Sequence, residues 1–255
     1  MIDKLASVHK RAEIDSDVSI GPYSVIGENV RIGRGTKIDS NVVIKGWTEI
    51  GENCQISSGA VLGEAPQHMG YKGEKSYVRI GNYNIIREFV TIHRSCKERE
   101  TTCIGHNNFF MAYSHVGHDC LIGSHVIITS FVGISGHVTV EDRVVIGGHT
   151  AIHQFVRIGT LAMVSGTSRV VKDIPPYFIA EGNPSRIRAV NVVGLRRAGI
   201  SQETRNNIKK AYKVLYHSNL NTSQALEKIK EEIKMEKEIA HLIEFIEKSE
   251  RGICA

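Results

Sequence analysis

Aliphatic residues fall on every sixth position of this chain. Between Val116 and Ile158 the series is Val116, Ile122, Ile128, Ile134, Val140, Ile146, Ile152 and Ile158, without a miss. The same spacing starts at Ile2 and runs through Val8, Ile14, Ile20, Ile26, Ile32, Ile38, Ile44, Ile50, Ile56 and Leu62. Six residues is not a whole number of α-helical turns, so no helix keeps these side chains on one face. Simple alternation fails too, because the intervening even positions are often charged or Gly. Four residues after each aliphatic position stands a small or β-branched residue (Ala12, Val18, Val30, Thr36, Val42, Thr48, Cys54, Ala60). Gly often follows the aliphatic residue, as at Gly21, Gly27, Gly33 and Gly51. This pattern predicts a solenoid of short strands with a corner every six residues and the aliphatic side chains inside. Three hexads per coil would stack residues eighteen apart, about 4.8 Å from rung to rung.

Two stretches interrupt the hexads. Residues 63–79 hold Pro66, Gly70, Gly73 and several charges and read as an extruded loop, after which Ile80, Ile86 and Ile92 resume the pattern. Residues 97–102 form a second, charged loop, and from Ile104 the repeat runs to Val170. Long loops on a rigid coil are frequent carriers of function. The repeat ends at Pro175-Pro176, giving a solenoid over residues 1–180 and a linker over 181–200 containing Gly182, Pro184 and Gly194. From Ser201 the period becomes helical: Ile208, Ala211, Tyr212, Leu215 and Tyr216 share one face. Asn221 or Thr222 caps a second helix carrying Leu226, Ile229 and Ile233, and a third carries Ile239, Leu242, Ile243 and Ile246. Residues 201–255 are therefore expected to form a helical domain that covers the open end of the solenoid.

Composition narrows the setting. With one Trp and seven Phe, the core must be built from Ile and Val. Five cysteines, an odd number with no paired spacing, make no disulfide framework, so a reducing cytoplasmic compartment is expected. No signal peptide and no run long enough for a transmembrane segment stands out. A net charge of +5 is too mild to imply nucleic acid. The basicity is local: Arg186, Arg188, Arg196, Arg197, Arg205, Lys209, Lys210 and Lys213 face a single acid, Glu203, between Gly182 and His217. Such a stretch is either a solvated face or a docking site for an acidic partner.

Chemistry concentrates where histidines thread the repeat, at His115, His118, His125, His137, His149 and His153. Stacking arithmetic places His118, Gly136 and Gln154, each eighteen apart, in one column. Imidazole is tuned near neutral pH for general-base work. Cys54 and Cys120 fall on small inward positions and read as core. His93, Cys96, Cys103 and His106 have a spacing that suggests zinc, but they flank an irregular loop while Ile92 and Ile104 must point inward, so no metal site is expected.

The hexads resemble the left-handed parallel β-helix proteins of the hexapeptide-repeat class, and the left hand is implied by that resemblance alone, since ordinary crossovers are right-handed. More specific segments are His115-Val116-Gly117-His118-Asp119-Cys120, Gly136-His137-Val138, His153-Gln154-Phe155, Asp173-Ile174-Pro175-Pro176-Tyr177 and Glu181-Gly182-Asn183. Together with the C-terminal helical cap they are similar to the UDP-N-acetylglucosamine acyltransferases, from the first hexad to the last helix. The resemblance implies a cytoplasmic homotrimer, without a cofactor of its own, acting first in lipid A biosynthesis. It would move a 3-hydroxyacyl chain from the phosphopantetheine of acyl carrier protein to the glucosamine 3-hydroxyl of UDP-N-acetylglucosamine.

The resemblance also implies roles. His118 matches the catalytic base, Asp119 the carboxylate that orients it, and Gly136 the backbone N–H that holds the oxyanion. His115, His137 and His153 match cleft positions, Gln154 and Gln67 match sugar-nucleotide contacts, and Asn191 and Arg197 match nucleotide, phosphate or carrier contacts. Gly166 matches the chain-length ruler, where Gly leaves room for a longer acyl chain. The chain departs from the family in the first loop, with Gln67-His68-Met69-Gly70 in place of Gln-Asp-Leu-Lys, and at Val193 and Ala198, where Glu and Arg are frequent. A 3-amino sugar nucleotide is thus an alternative acceptor. Two other classes stay open: a zinc-dependent lyase of the carbonic-anhydrase type, and a non-catalytic trimeric scaffold. A glucosamine N-acyltransferase of the same pathway is disfavoured, because it carries an extra N-terminal domain and the hexads here begin at Ile2.

Overall fold

The computed structural model describes all 255 residues. The hexads wind into a left-handed parallel β-helix whose three faces are sheets of nine, eight and ten strands, most of them two residues long. Register follows the eighteen-residue step: His115 pairs Gly133, and Gly133 pairs Ala151. The step lengthens across each loop, so that Val61 pairs Thr91 and Thr91 pairs His115. Both loops insert whole multiples of six residues, which keeps the aliphatic phase intact. The loops proper lie between strands Val61–Glu64 and Tyr77–Ile80, and between Thr91–His93 and Thr101–Ile104.

The aliphatic and small positions of the hexads form one continuous core, from Val18 through Val170 and on into the helices. The first coil departs from expectation: Ile2 is half exposed, and Val8 and Ile14 are only partly buried. Nothing packs beneath that coil, so its aliphatic side chains keep contact with water. The corners differ as well. The residue in the left-handed region is not the Gly after the strand but the third corner position, such as Asn29, Asn41, Asp119, His137 or Phe155, at φ between 58° and 65°. Asn and Asp tolerate this region, whereas an aromatic there needs its neighbours to hold it. Stacking supplies that hold, as in the ladder Phe89, Tyr113, Phe131 and His149, with ring centroids 4.8–5.1 Å apart.

Residues 181–200 are not a linker. Strands Phe178–Gly182 and Ser185–Val190 form an antiparallel hairpin that extends the ten-stranded sheet. Helix α1, Val192–Arg197, follows directly. Three further helices occupy the expected places: α2 Gln202–Tyr216, capped by Ser201; α3 Thr222–Glu232, with a capping box between Asn221 and Gln224; and α4 Lys237–Glu247. Their apolar faces (Ile208 and Ala211; Leu226 and Ile229; Ile239, Leu242 and Ile246) are buried, in line with amphipathic packing onto a core. The chain end closes over the last coil, where Asp173 bridges Ile253 and accepts from Ser249. The Arg157 guanidinium lies 4.2 Å from the Phe245 ring centroid and donates to the Phe245 and Lys248 carbonyls.

One ion pair ties α4 to the coil: His241 Nε2 lies 2.7 Å from Glu141 Oε2, which also accepts from the Thr160 N–H and hydroxyl. Hydrogen bonding to Glu141 raises the His241 pKa, outweighing burial. A raised imidazole stabilises the folded state below the ordinary His range, and that contribution fades as pH rises through the folded value. Wild type should therefore lose a small thermal advantage over His241→Gln on going from mildly acidic to alkaline buffer. The effect is small because His241 keeps about a third of its side chain in solvent. Parallel melting curves of the two proteins across that range check it, and an advantage that grows with pH refutes the pairing.

Candidate active site

The corner that follows strand His115–Val116 carries Gly117, His118 and Asp119. Its left-handed residue is Asp119, at φ 60°. That turn brings the carboxylate back beside its own neighbour, and His118 Nδ1 lies 2.7 Å from Asp119 Oδ2. Three more groups converge on the carboxylate. Ser95 Oγ donates to Oδ1, the Cys96 thiol approaches Oδ2 at 3.0 Å, and the Cys96 N–H donates to Oδ2 at 3.3 Å. His137 Nε2 stands 3.6 Å from the same Oδ2. The Asp119 N–H is anchored on Thr102 Oγ1 at 2.8 Å.

Burial alone would push the Asp119 carboxyl up, but hydrogen bonds from Cys96, Ser95 and His118 outweigh it and hold the group at about 2. Asp119 is therefore a carboxylate at any working pH and can only accept. His118 must then carry its proton on Nδ1, which leaves Nε2 as the free acceptor. Burial, aided by the neighbouring His93 and His118, pushes His115 down to about 4, and His115 shares a 2.7 Å hydrogen bond with Thr91 Oγ1. Burial lowers His93 and His137 as well.

The next rung places Gly136 under the imidazole. A Cβ on Gly136 would stand 2.5 Å from His118 Cε1 and 2.6 Å from Nε2. No residue but Gly leaves the ring where it is. The rungs are joined by the backbone, His137 N–H to His118 carbonyl at 2.9 Å and Phe155 N–H to Gly136 carbonyl at 3.2 Å, so the predicted column exists. The Gly136 N–H donates to no acceptor within the chain. His137 is clamped by the Phe155 ring, 4.6 Å away and nearly parallel, and meets the His118 ring edge-on at 5.1 Å.

Of the residues singled out from sequence, the structure gathers His118, Asp119, Gly136 and His137, with His115 just behind. His153 and Gln154 sit one rung on, exposed at the end of the column. Gln67 is exposed on the first loop, and its neighbour His68 meets the His118 ring edge-on at 5.4 Å. Arg94 keeps that loop folded over the corner, donating to the Gly63 carbonyl and the Tyr71 hydroxyl and lying over the Trp47 and Tyr71 rings. Gly166 stands on a different edge of the prism, stacked on Gly148. Arg197 is exposed at the end of α1. Asn191 is buried: its Oδ1 accepts from the Gly194 N–H to cap α1, and its Nδ2 donates to the Leu161 carbonyl.

Ser95 escapes the sequence reading, His68 enters it only as a departure from the family's loop, and Cys96 only within a zinc quartet that is not expected to form. The second loop lengthens the step between coils, so counting back eighteen from Asp119 lands on Thr101 rather than on Ser95, 24 residues away. The quartet that suggested zinc does not assemble. His93 pairs edge-on with His115, and His106 Nδ1 accepts from the Asn82 N–H, while Cys96 joins His118, Asp119 and His137.

Comparison with known proteins adds a second line. The sequence profile described as Udp N-acetylglucosamine O-acyltransferase, Domain 2, matches residues 173–254, and the bacterial transferase hexapeptide profile matches 29–64 and 104–136. An acyl-(acyl-carrier-protein)–UDP-N-acetylglucosamine O-acyltransferase of Thermodesulfovibrio yellowstonii is 50% identical over 99% of this chain and 98% of its own length. One from Syntrophobacter fumaroxidans is 40% identical with the same coverage. The crystal structure of a UDP-N-acetylglucosamine acyltransferase from Bacteroides fragilis superposes with a TM-score of 0.98 at 42% identity, covering all of both chains.

Proposed function

Since this chain belongs to the acyl-(acyl-carrier-protein)–UDP-N-acetylglucosamine O-acyltransferase family, we propose that it transfers a 3-hydroxyacyl chain from acyl carrier protein to the glucosamine 3-hydroxyl of UDP-N-acetylglucosamine, with His118 as general base. The observation that carries this reading is the His118 ring itself, tied through Nδ1 to an ionised Asp119 and laid with Nε2 over Gly136.

The steps follow from that geometry. Nε2 takes the proton of the sugar hydroxyl as its oxygen attacks the thioester carbonyl. A C–O bond forms, and the carbonyl oxygen becomes an oxyanion held by the Gly136 N–H. Collapse breaks the C–S bond, and the imidazolium returns its proton to the departing thiolate. Asp119 steadies the imidazolium while it exists and fixes the tautomer, the part a carboxylate plays in other acyl-transfer sites. The acyl group passes directly between substrates. Cys120 is buried, its thiol pushed up to about 12 by burial, and burial together with the Asp119 charge pushes Cys96 up to about 11, so neither is a ready nucleophile.

His115, His137, His153 and Gln154 line the acceptor side of the column in this reading, and Gln67 approaches it from the loop above. Gly166 and Gly148 leave the middle position of two successive corners without a side chain, which suits a longer acyl chain. Arg186, Arg188, Arg196, Arg197, Lys209, Lys210 and Lys213 are exposed on the hairpin, α1 and α2, where they would steer an acidic carrier protein. The assembly is proposed to be a homotrimer and the setting cytoplasmic; no helix is long and apolar enough to cross a membrane.

The test is an assay of the purified protein with carrier-bound 3-hydroxyacyl chains of several lengths, offered UDP-N-acetylglucosamine or its 3-amino analogue. An ester formed on the hydroxyl acceptor is the expected product. An amide formed only on the amino acceptor would reassign the acceptor, and no transfer to either would overturn the reading.

A further inference from the structure

We propose that Cys96, His118, Asp119 and His137 form a binding site for a thiophilic divalent cation, zinc above all, and that the ion inhibits the enzyme by taking the groups that orient its base. One ligand atom from each of the four lies within 4.8 Å of all the others. The Cys96 thiol, His118 Nδ1 and His137 Nε2 stand at 3.0, 2.7 and 3.6 Å from one oxygen, Asp119 Oδ2. Tetrahedral zinc with bonds of about 2.0–2.3 Å separates its ligands by roughly 3.3–3.7 Å. Shifts well under an ångström for the nearer donors would open that space. One sulfur, two imidazole nitrogens and one carboxylate oxygen favour zinc over magnesium or calcium.

The surroundings already hold the donors in place. Ser95 fixes the other carboxylate oxygen, Oδ1, and the Phe155 ring holds His137. Oriented donors of this kind strengthen metal binding. The His118 and His137 side chains remain partly open to solvent, so an ion has a path in. Binding would form a Zn–S bond and release the thiol proton to solvent, and the His118 proton would move from Nδ1 to Nε2 as Nδ1 takes the metal. It would also replace the His118–Asp119 hydrogen bond with two bonds to the metal. The inhibition, unlike the binding, rests on His118 being the base.

Cobalt serves as the spectroscopic probe. Metal-free wild type titrated with Co²⁺ should develop a thiolate-to-cobalt charge-transfer band and the visible bands of a tetrahedral ion, both abolished by equimolar zinc. Zinc should cut acyl transfer by more than about tenfold, and a chelator should restore it. Cys96→Ser should lose the charge-transfer band and bind zinc more weakly by at least about tenfold, inhibition being read against that variant's own metal-free rate. His137→Gln should weaken binding while keeping the thiolate band, and Cys103→Ser should retain both band and inhibition. Absence of the band in wild type, or its survival in Cys96→Ser, overturns the site. Binding without inhibition overturns only the regulatory half, and an inactive metal-free enzyme speaks against the proposed reaction, not the site.

Discussion

His118→Ala lowers acyl transfer by on the order of a thousandfold, the span that a positioned general base commonly supplies, with the substrate KM values little changed. The proton of the sugar hydroxyl then has only water to receive it. No other histidine takes over: His115 is held near 4 and bonded to Thr91, and the His137 ring is clamped by Phe155 with its Nε2 turned toward Asp119. The fold survives, because His118 packs on ring edges at a corner and contributes nothing to the aliphatic core. Asp119 keeps its bonds to Ser95 and Cys96. Steady-state kinetics beside a melting curve check this, and a rate within a few-fold of wild type at unchanged stability would remove His118 from the mechanism.

Gly136→Ala is expected to have the next largest effect, without replacing any functional side chain. Backbone freedom is not at stake, since Gly136 lies outside the left-handed region where alanine would be strained. Space is at stake: the new methyl carbon would stand 2.5 Å from the imidazole Cε1. The ring is the softer partner and swings away, carrying Nε2 off its position over the rung. A displacement near an ångström at a reacting group costs about a hundredfold. The loss should fall on kcat, with the melting temperature close to wild type. A fully active Gly136→Ala would mean that the ring has room to spare.

Much of this architecture was legible in the chain, because one physical rule, an aliphatic side chain at each strand, repeats with a fixed period. The same arithmetic put His118 and Gly136 on adjacent rungs. What escaped it has identifiable causes. Ile2 obeys the pattern but has no coil beneath it. The hairpin after Phe178 was hidden because Asn183-Pro184 marks a turn and Arg186 and Arg188 alternate with Ile187, so a strand with a charged outer face reads as a linker. Ser95 and Cys96 belong to the site only because the second loop adds one hexad to its coil. Asn191 also caps a helix, a role the motif match did not show because the cap depends on Gly194 and Leu161 meeting the side chain in space.

Central to the account is that the base and the glycine below it act as one unit. A double-mutant cycle measures this directly, with single-turnover transfer rates for wild type, His118→Ala, Gly136→Ala and the pair together. If Gly136→Ala harms catalysis only by displacing the imidazole, it costs nothing further once that imidazole is gone, and the double variant runs at the rate of His118→Ala. Losses that instead multiply would show two independent contributions and contradict the coupling of His118 to the rung beneath it.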